Sequence, residues 1–170
     1  YDRISGCSNI GVAITNYKDW TTGDVTRRIF QDQLFVGDPI VAVNHYRNVA
    51  FVSGVLIHAK KAQALATSVW DGSEMYQMYL MASILSAGMN LLELELCTVR
   101  KDVFIEGEVV DSYSNREFIC SWFKPLELPF TRIGRLIYES VKPFVQGSDD
   151  EYVLSIFNQL YRFTYPFWIF

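Results

Sequence analysis

Hydrophobic and polar positions change period several times along this chain. Residues 10–14 and 25–36 carry β-branched and aromatic side chains and read as strands, with a turn-like stretch at 16–23 between them. Gly37-Asp38-Pro39 punctuates the chain. The short apolar runs 40–43 and 49–52 then predict the two strands of a hairpin, with 44–48 near its turn. Four strands in succession without intervening helices predict a largely antiparallel sheet. Ala, Lys, Gln and Leu predict a helix over 58–70. Asp71, with Glu74 three residues on, forms a capping-box pattern that opens a second helix. That helix is apolar nearly all round (Met75, Met78, Leu80, Met81, Ile84, Leu85), the mark of burial, and Gly88 suits its end.

The pattern then turns to period two. Leu92, Leu94 and Leu96 alternate with Glu93, Glu95 and Cys97, predicting a strand with leucines inward and glutamates toward solvent. Strands are predicted over 103–113 and 117–123, joined at Ser114-Asn115. Pro129 starts a helix with Ile133, Leu136, Ile137 and Val141 on one face. A last helix opens at Gly147-Ser148-Asp149-Asp150, with Ser148 as its cap and Val153, Ile156, Phe157 and Leu160 as its buried stripe. The expected fold is α+β: one domain over residues 1–170 in which a mixed, mostly antiparallel sheet packs against a helical bundle.

Composition sharpens this picture. Half of the residues are hydrophobic, enough for a sizeable core and unlike a disordered chain. A net charge of −4, with no Lys/Arg run longer than two, argues against a broad phosphate-gripping platform, though not against a pocket for one nucleotide. Cys7, Cys97 and Cys120 are odd in number and widely spaced, which suits reduced intracellular thiols and offers no zinc spacing. The chain begins at Tyr1, so it is expected to be a piece of a larger protein. No apolar run reaches the length of a membrane span, and no membrane partner is expected.

Read as residues alone, the chemistry is sparse. Glu93 and Glu95, with Lys101 and Asp102, suggest strand carboxylates holding Mg²⁺ in a nuclease. The ordinary reading is a solvated strand face. Cys97 or Cys120 as a nucleophile would need a base, and only His45 and His58 are available. His58 has no partner at ligand spacing, so no metal is expected there. Lys60 beside Lys61 reads as a solvated helix lysine, and His45-Tyr46 as a hairpin-tip pair partly packed on the sheet. Trp20, Trp70, Trp122 and Trp168 have no assignment by pattern, and an exposed cluster of them would indicate a docking surface.

Three stretches carry a resemblance. Val52-Ser53-Gly54 leads into the helix bearing Lys60 and on through Asp71-Gly72 to the apolar helix. Thr98-Val99-Arg100-Lys101-Asp102 follows the next strand, and Leu128-Pro129-Phe130-Thr131 opens the closing helices. In order and spacing these resemble the central cap-binding domain of orthomyxovirus polymerase basic protein 2, more in the manner of a thogotovirus than of an influenza virus. The resemblance covers nearly the whole chain. It implies a non-catalytic viral module that serves cap-snatching transcription. The partners it implies are the other subunits of the polymerase heterotrimer and capped RNA, with no cofactor, and the location is the host nucleus and the virion.

Cap recognition places the cationic methylated guanine between two aromatic faces and pairs its N1 and N2 hydrogens with a carboxylate. Lys60 falls where the family places its guanine-contacting lysine. His45 or Tyr46 would supply one aromatic face. Other positions depart from the pattern. No glutamate occurs in Asn44-His45-Tyr46-Arg47-Asn48-Val49-Ala50-Phe51, Ala87-Gly88-Met89-Asn90 offers no second ring, and Asn9-Ile10, Leu128 and Thr131 replace other pocket groups. A lost ring and a lost carboxylate would each remove on the order of 1–3 kcal/mol. The expectation is therefore a degenerate pocket with weak or no cap binding by the isolated domain. The alternatives are the metal-dependent nuclease-like domain and a pure protein–protein interaction domain.

Overall fold

The computed structural model describes residues 7–19, 22–49, 52–70, 76–101 and 129–169, with backbone alone at 101, 129–132 and 163–169. The elements run β1 (Ile10–Asp19), β2 (Val25–Thr26), β3 (Gln33–Phe35), α1 (Pro39–His45), a 3-10 turn (Tyr46–Val49), β4 (Val55–Ile57), α2 (Ala59–Leu65), a 3-10 turn (Ser68–Trp70), α3 (Tyr76–Ser86), β5 (Asn90–Lys101), α4 (Pro129–Val145) and α5 (Asp150–Ile169). The fold is α+β, a mixed, curled sheet packed against five helices. The sheet order is β2-β1-β5-β3, with β4 also pairing with β1. The three short pairings are antiparallel, whereas the long central pairing of β1 with β5 is parallel, because the chain crosses over through α1, α2 and α3 before β5 begins. No helix among the described residues is long and apolar enough to cross a membrane.

Two expected boundaries move because side chains capture backbone groups. β1 runs on to Asp19, through Asn16, where a turn was expected. Past the end of β1, the Asp19 carboxylate accepts from Thr22 N and Asp19 N donates to Asp24 O, which brings the two sides of the connection together. The run 25–36 is not one strand. Arg28 N and Ile29 N both donate to Asn16 Oδ1, so these amides are lost to any ladder, and only β2 and β3 form at its ends.

Where the first strand of a hairpin and its turn were expected, Pro39–His45 form a helix and Tyr46–Val49 a 3-10 turn. Asp38 is the N-cap: its carboxylate accepts from Val41 N at 2.6 Å, and Pro39 takes the first-turn position that tolerates proline. Gly37-Asp38-Pro39 is thus a helix start and not a strand turn. The β-branched run 40–43 turns helical because α1 is enclosed by α3, α4 and α5, and Ala42 and Val43 are fully buried. Burial on several sides outweighs a strand preference worth well under 1 kcal/mol per residue.

The helix expected over 58–70 stops at Leu65. Tyr76 Oη accepts from Thr67 N and donates to Thr67 O, which takes that residue's backbone out of helical pairing. His58 caps the short helix, its Nδ1 accepting from Lys61 N at 3.4 Å. α3 is buried as expected, with Met78, Met81, Ile84 and Leu85 in the main core. Gly88 ends it with φ of 85°; Met89 N donates to Ile84 O and Gly88 N to Leu85 O, the paired bonds of a Schellman cap. α4 buries Ile133, Leu136, Ile137 and Val141 as expected. α5 is capped by Asp149, not Ser148, since the Asp149 carboxylate accepts from Tyr152 N at 2.8 Å. Ile156 and Leu160 are buried on α5, but Phe157 is not. Asp71, Glu74, Cys120, Trp20, Trp122 and the strands expected over 103–113 and 117–123 lie outside the described residues.

One face of the sheet carries the main core. Val12, Ile14 and Leu91 pack there with the helices. Ala13, Leu92 and Leu94 form a separate small cluster on the other face. Leu91 and Glu93 therefore share the helix-covered face, and the expected arrangement of strand β5 is reversed at Glu93.

Two substitutions test this architecture. A Cβ on Gly37 would lie 1.8 Å from Met89 O and 2.9 Å from Leu85 O, both backbone atoms that no rotamer change can move. Gly37→Ala is expected to destabilise by about 2 kcal/mol or more, read as a lower urea midpoint. Asn16 is 1% exposed, and its amide uses all four hydrogen-bonding positions on backbone groups of Arg28, Ile29 and Glu95. Asn16→Leu leaves those groups unpaired at about 1–3 kcal/mol each, so a loss of at least about 3 kcal/mol is expected in the same assay.

Candidate functional site

Polar side chains gather where the C-terminal end of α1 meets β5. Leu91 and Leu92 make both faces of β5 apolar at that level, so Glu93 follows Leu91 onto the covered face and meets α1. Glu93 Oε1 accepts from Asn48 Nδ2 at 2.8 Å and lies 3.1 Å from His45 Nδ1. The side chains of His45 and Glu93 are 16% and 12% exposed. Beside a carboxylate, which only accepts, Nδ1 is the donating nitrogen. His45 Nε2 and Glu93 Oε2 have no hydrogen bond to a described residue, and both side chains keep a small exposed area. The Phe35 ring holds the imidazole from one side, with centroids 4.4 Å apart and planes tilted by 52°.

A second layer fixes these groups. Asn48 donates to Glu93 through its side chain, while its carbonyl accepts from Arg28 Nη1 at 2.8 Å. Arg28 also donates through Nε to Thr15 O and through Nη2 to Ser53 O, and its guanidinium lies 5.5 Å from the centre of the Tyr17 ring. Burial pushes the Arg28 pKa down, and the negative charge available on Tyr17 and Glu93 opposes that shift. A guanidinium remains charged in any case. The Glu93 carboxylate is thus set among an amide, an imidazole and the charge of a half-buried guanidinium, which offsets the cost of removing it from water.

The three residues expected to contact a ligand do not converge. Tyr46 is 2% exposed and lies in the main core, so its ring faces no ligand. The reason is its place in the 3-10 turn after α1, which directs it inward. Lys60 is exposed on α2 and makes no hydrogen bond or ion pair with a described residue. His45 alone sits in a polar, partly accessible cluster. It arrives there from a helix end and not from a hairpin. Glu95, expected to share a face with Glu93 as a metal ligand, is half-exposed and 4.0 Å from Arg27. Among the described residues no group of three His, Cys, Asp or Glu side chains is placed to hold a metal ion. Of the tryptophans, Trp70 packs partly buried against the core and 6.4 Å from Tyr79.

Sequence reasoning missed Glu93, Asn48 and Arg28 as members of one cluster. The signal present in the chain was the Leu91-Leu92 pair, which breaks strict alternation just before Glu93. The chain matches no family model, no curated protein and no solved structure.

Proposed function

We propose that this chain is a non-catalytic, cap-binding-like module of an influenza-type viral RNA polymerase subunit, with a degenerate pocket. In this reading it serves cap-snatching transcription in the host nucleus, is carried in the virion and acts with the other polymerase subunits. The observation that supports it is the His45–Glu93 pair, an imidazole ring and a carboxylate held 3.1 Å apart with one carboxylate oxygen uncommitted. A ring that stacks on a base and an acid that accepts from its edge are the two groups that guanine recognition needs. The segment around His45 lacks a glutamate, and the fold brings Glu93 to it from β5.

The same geometry argues for weakness. One Glu93 oxygen is already occupied by His45 and Asn48, and Tyr46 supplies no second face. With each missing contact worth about 1–3 kcal/mol and tenfold per 1.4 kcal/mol, micromolar affinity falls toward millimolar.

The test is an NMR-detected titration of the domain with 7-methyl-GTP, with GTP as control. The expected result is a methyl-preferring response that does not saturate below about a millimolar, centred on His45 and removed by His45→Ala or Glu93→Gln. Micromolar, methyl-selective binding would sink the degenerate pocket. Equal responses to both nucleotides, indifferent to both substitutions, would sink the cap-binding-like reading.

A further inference from the structure

α5 presents an apolar stripe away from the core. Leu154, Phe157 and Tyr161 are 59%, 42% and 62% exposed, at spacings of three and four residues that align them along one side of the helix. Along the adjoining side of the helix, Ile156 and Leu160 are buried in the core, with Tyr152 and Val153 packed against it. Single exposed apolar residues are ordinary, but three in one helical row form a face. Phe157 is also held in place, its ring 5.0 Å from that of Tyr138 on α4. The face is therefore preformed and would lose little conformational freedom on being covered.

The charges along this face say what covers it. Glu151 and Arg162 are both exposed and stand on the same flank of the stripe, eleven residues apart, about 16 Å along the axis at 1.5 Å per residue. Their midpoint falls between positions 156 and 157, and Leu154 and Tyr161 straddle nearly the same point. A second α5 laid antiparallel about that point sets Glu151 against Arg162 of the other copy, twice. Leu154 then approaches the other copy's Tyr161, and the two Phe157 rings meet near the axis. This is the self-complementarity an isologous two-fold contact requires. A parallel arrangement would set Glu151 against Glu151 and Asp150 against Asp150. An anionic membrane surface fits poorly, because the end of the stripe at Asp149, Asp150 and Glu151 is acidic.

We propose that the chain self-associates through α5, as an antiparallel two-fold dimer whose apolar seam is Leu154, Phe157 and Tyr161 and whose register is set by Glu151 and Arg162. Exposed ion pairs add little affinity, so the seam supplies the attraction and the charges choose the orientation.

Sedimentation velocity on the 170-residue chain over a range of concentrations tests this, with far-UV melting to confirm that each variant folds. A monomer–dimer equilibrium is expected. Leu154→Glu, at an exposed position, should leave the melt unchanged and weaken association at least tenfold. Glu151→Arg alone and Arg162→Glu alone should each weaken it several-fold, and the two together should restore it. A chain that stays monomeric throughout, whatever else then covers the stripe, overturns the proposal. So does a dimer that survives Leu154→Glu, or single charge reversals that the double reversal fails to rescue.

Discussion

The fully bonded amide of Asn16 is the constraint on which the sheet depends. β1 and β5 do not pair in one continuous register: it shifts on both sides of Asn16. A shift of this kind leaves backbone groups without ladder partners inside the protein, where each unmet group is costly. Asn16 answers that cost from within the irregularity. Its Nδ2 donates to Glu95 O on β5 and to Ile29 O, and its Oδ1 accepts from Arg28 N and Ile29 N. One side chain thus joins the two central strands to the loop that follows β2. No other residue type of that size offers two donors and two acceptors.

The candidate site is built on this joint. With Arg28 N fixed by Asn16, the Arg28 guanidinium reaches the carbonyls of Thr15, Asn48 and Ser53. It thereby ties β1 to the segment between α1 and β4. Asn48 passes the restraint on, because the same residue donates to Glu93. Glu93 and His45 are consequently positioned by groups that are themselves immobilised, the arrangement a recognition site needs if it is not to reorganise on binding. Gly37 contributes from the other direction. Its lack of a Cβ lets the chain cross directly over the end of α3, and this delivers Asp38 to the start of α1 and His45 to its end.

The three residues of the proposed cap-binding-like pocket are placed differently. His45, expected to offer a ring, does stand beside a carboxylate. Tyr46 goes into the core and Lys60 stays apart on α2. In the proposed reading, a ring, an acid and a half-buried cation in the same neighbourhood suit a planar, hydrogen-bonding ligand. The acid's double engagement limits how strongly such a ligand is held.

Much of the helical layer was legible in the sequence. The burial of α3, its stop at Gly88, the start of α4 at Pro129 and the inward face of α4 follow from period, capping chemistry and proline position, which act within a few residues. The α+β class follows from the same signals. What tertiary structure alone decided depends on partners distant in sequence. Residues 40–43 have strand-like side chains and become helix because three other helices enclose them. The run 25–36 breaks because Asn16, a dozen residues earlier, takes its amides. Glu93 reads as solvent-facing by alternation, yet it is turned under α1 because the helices cover the face that Leu91 begins. Local patterns state which side of an element is apolar. They cannot state which side the rest of the chain will cover, and in this protein that choice placed Glu93 beside His45.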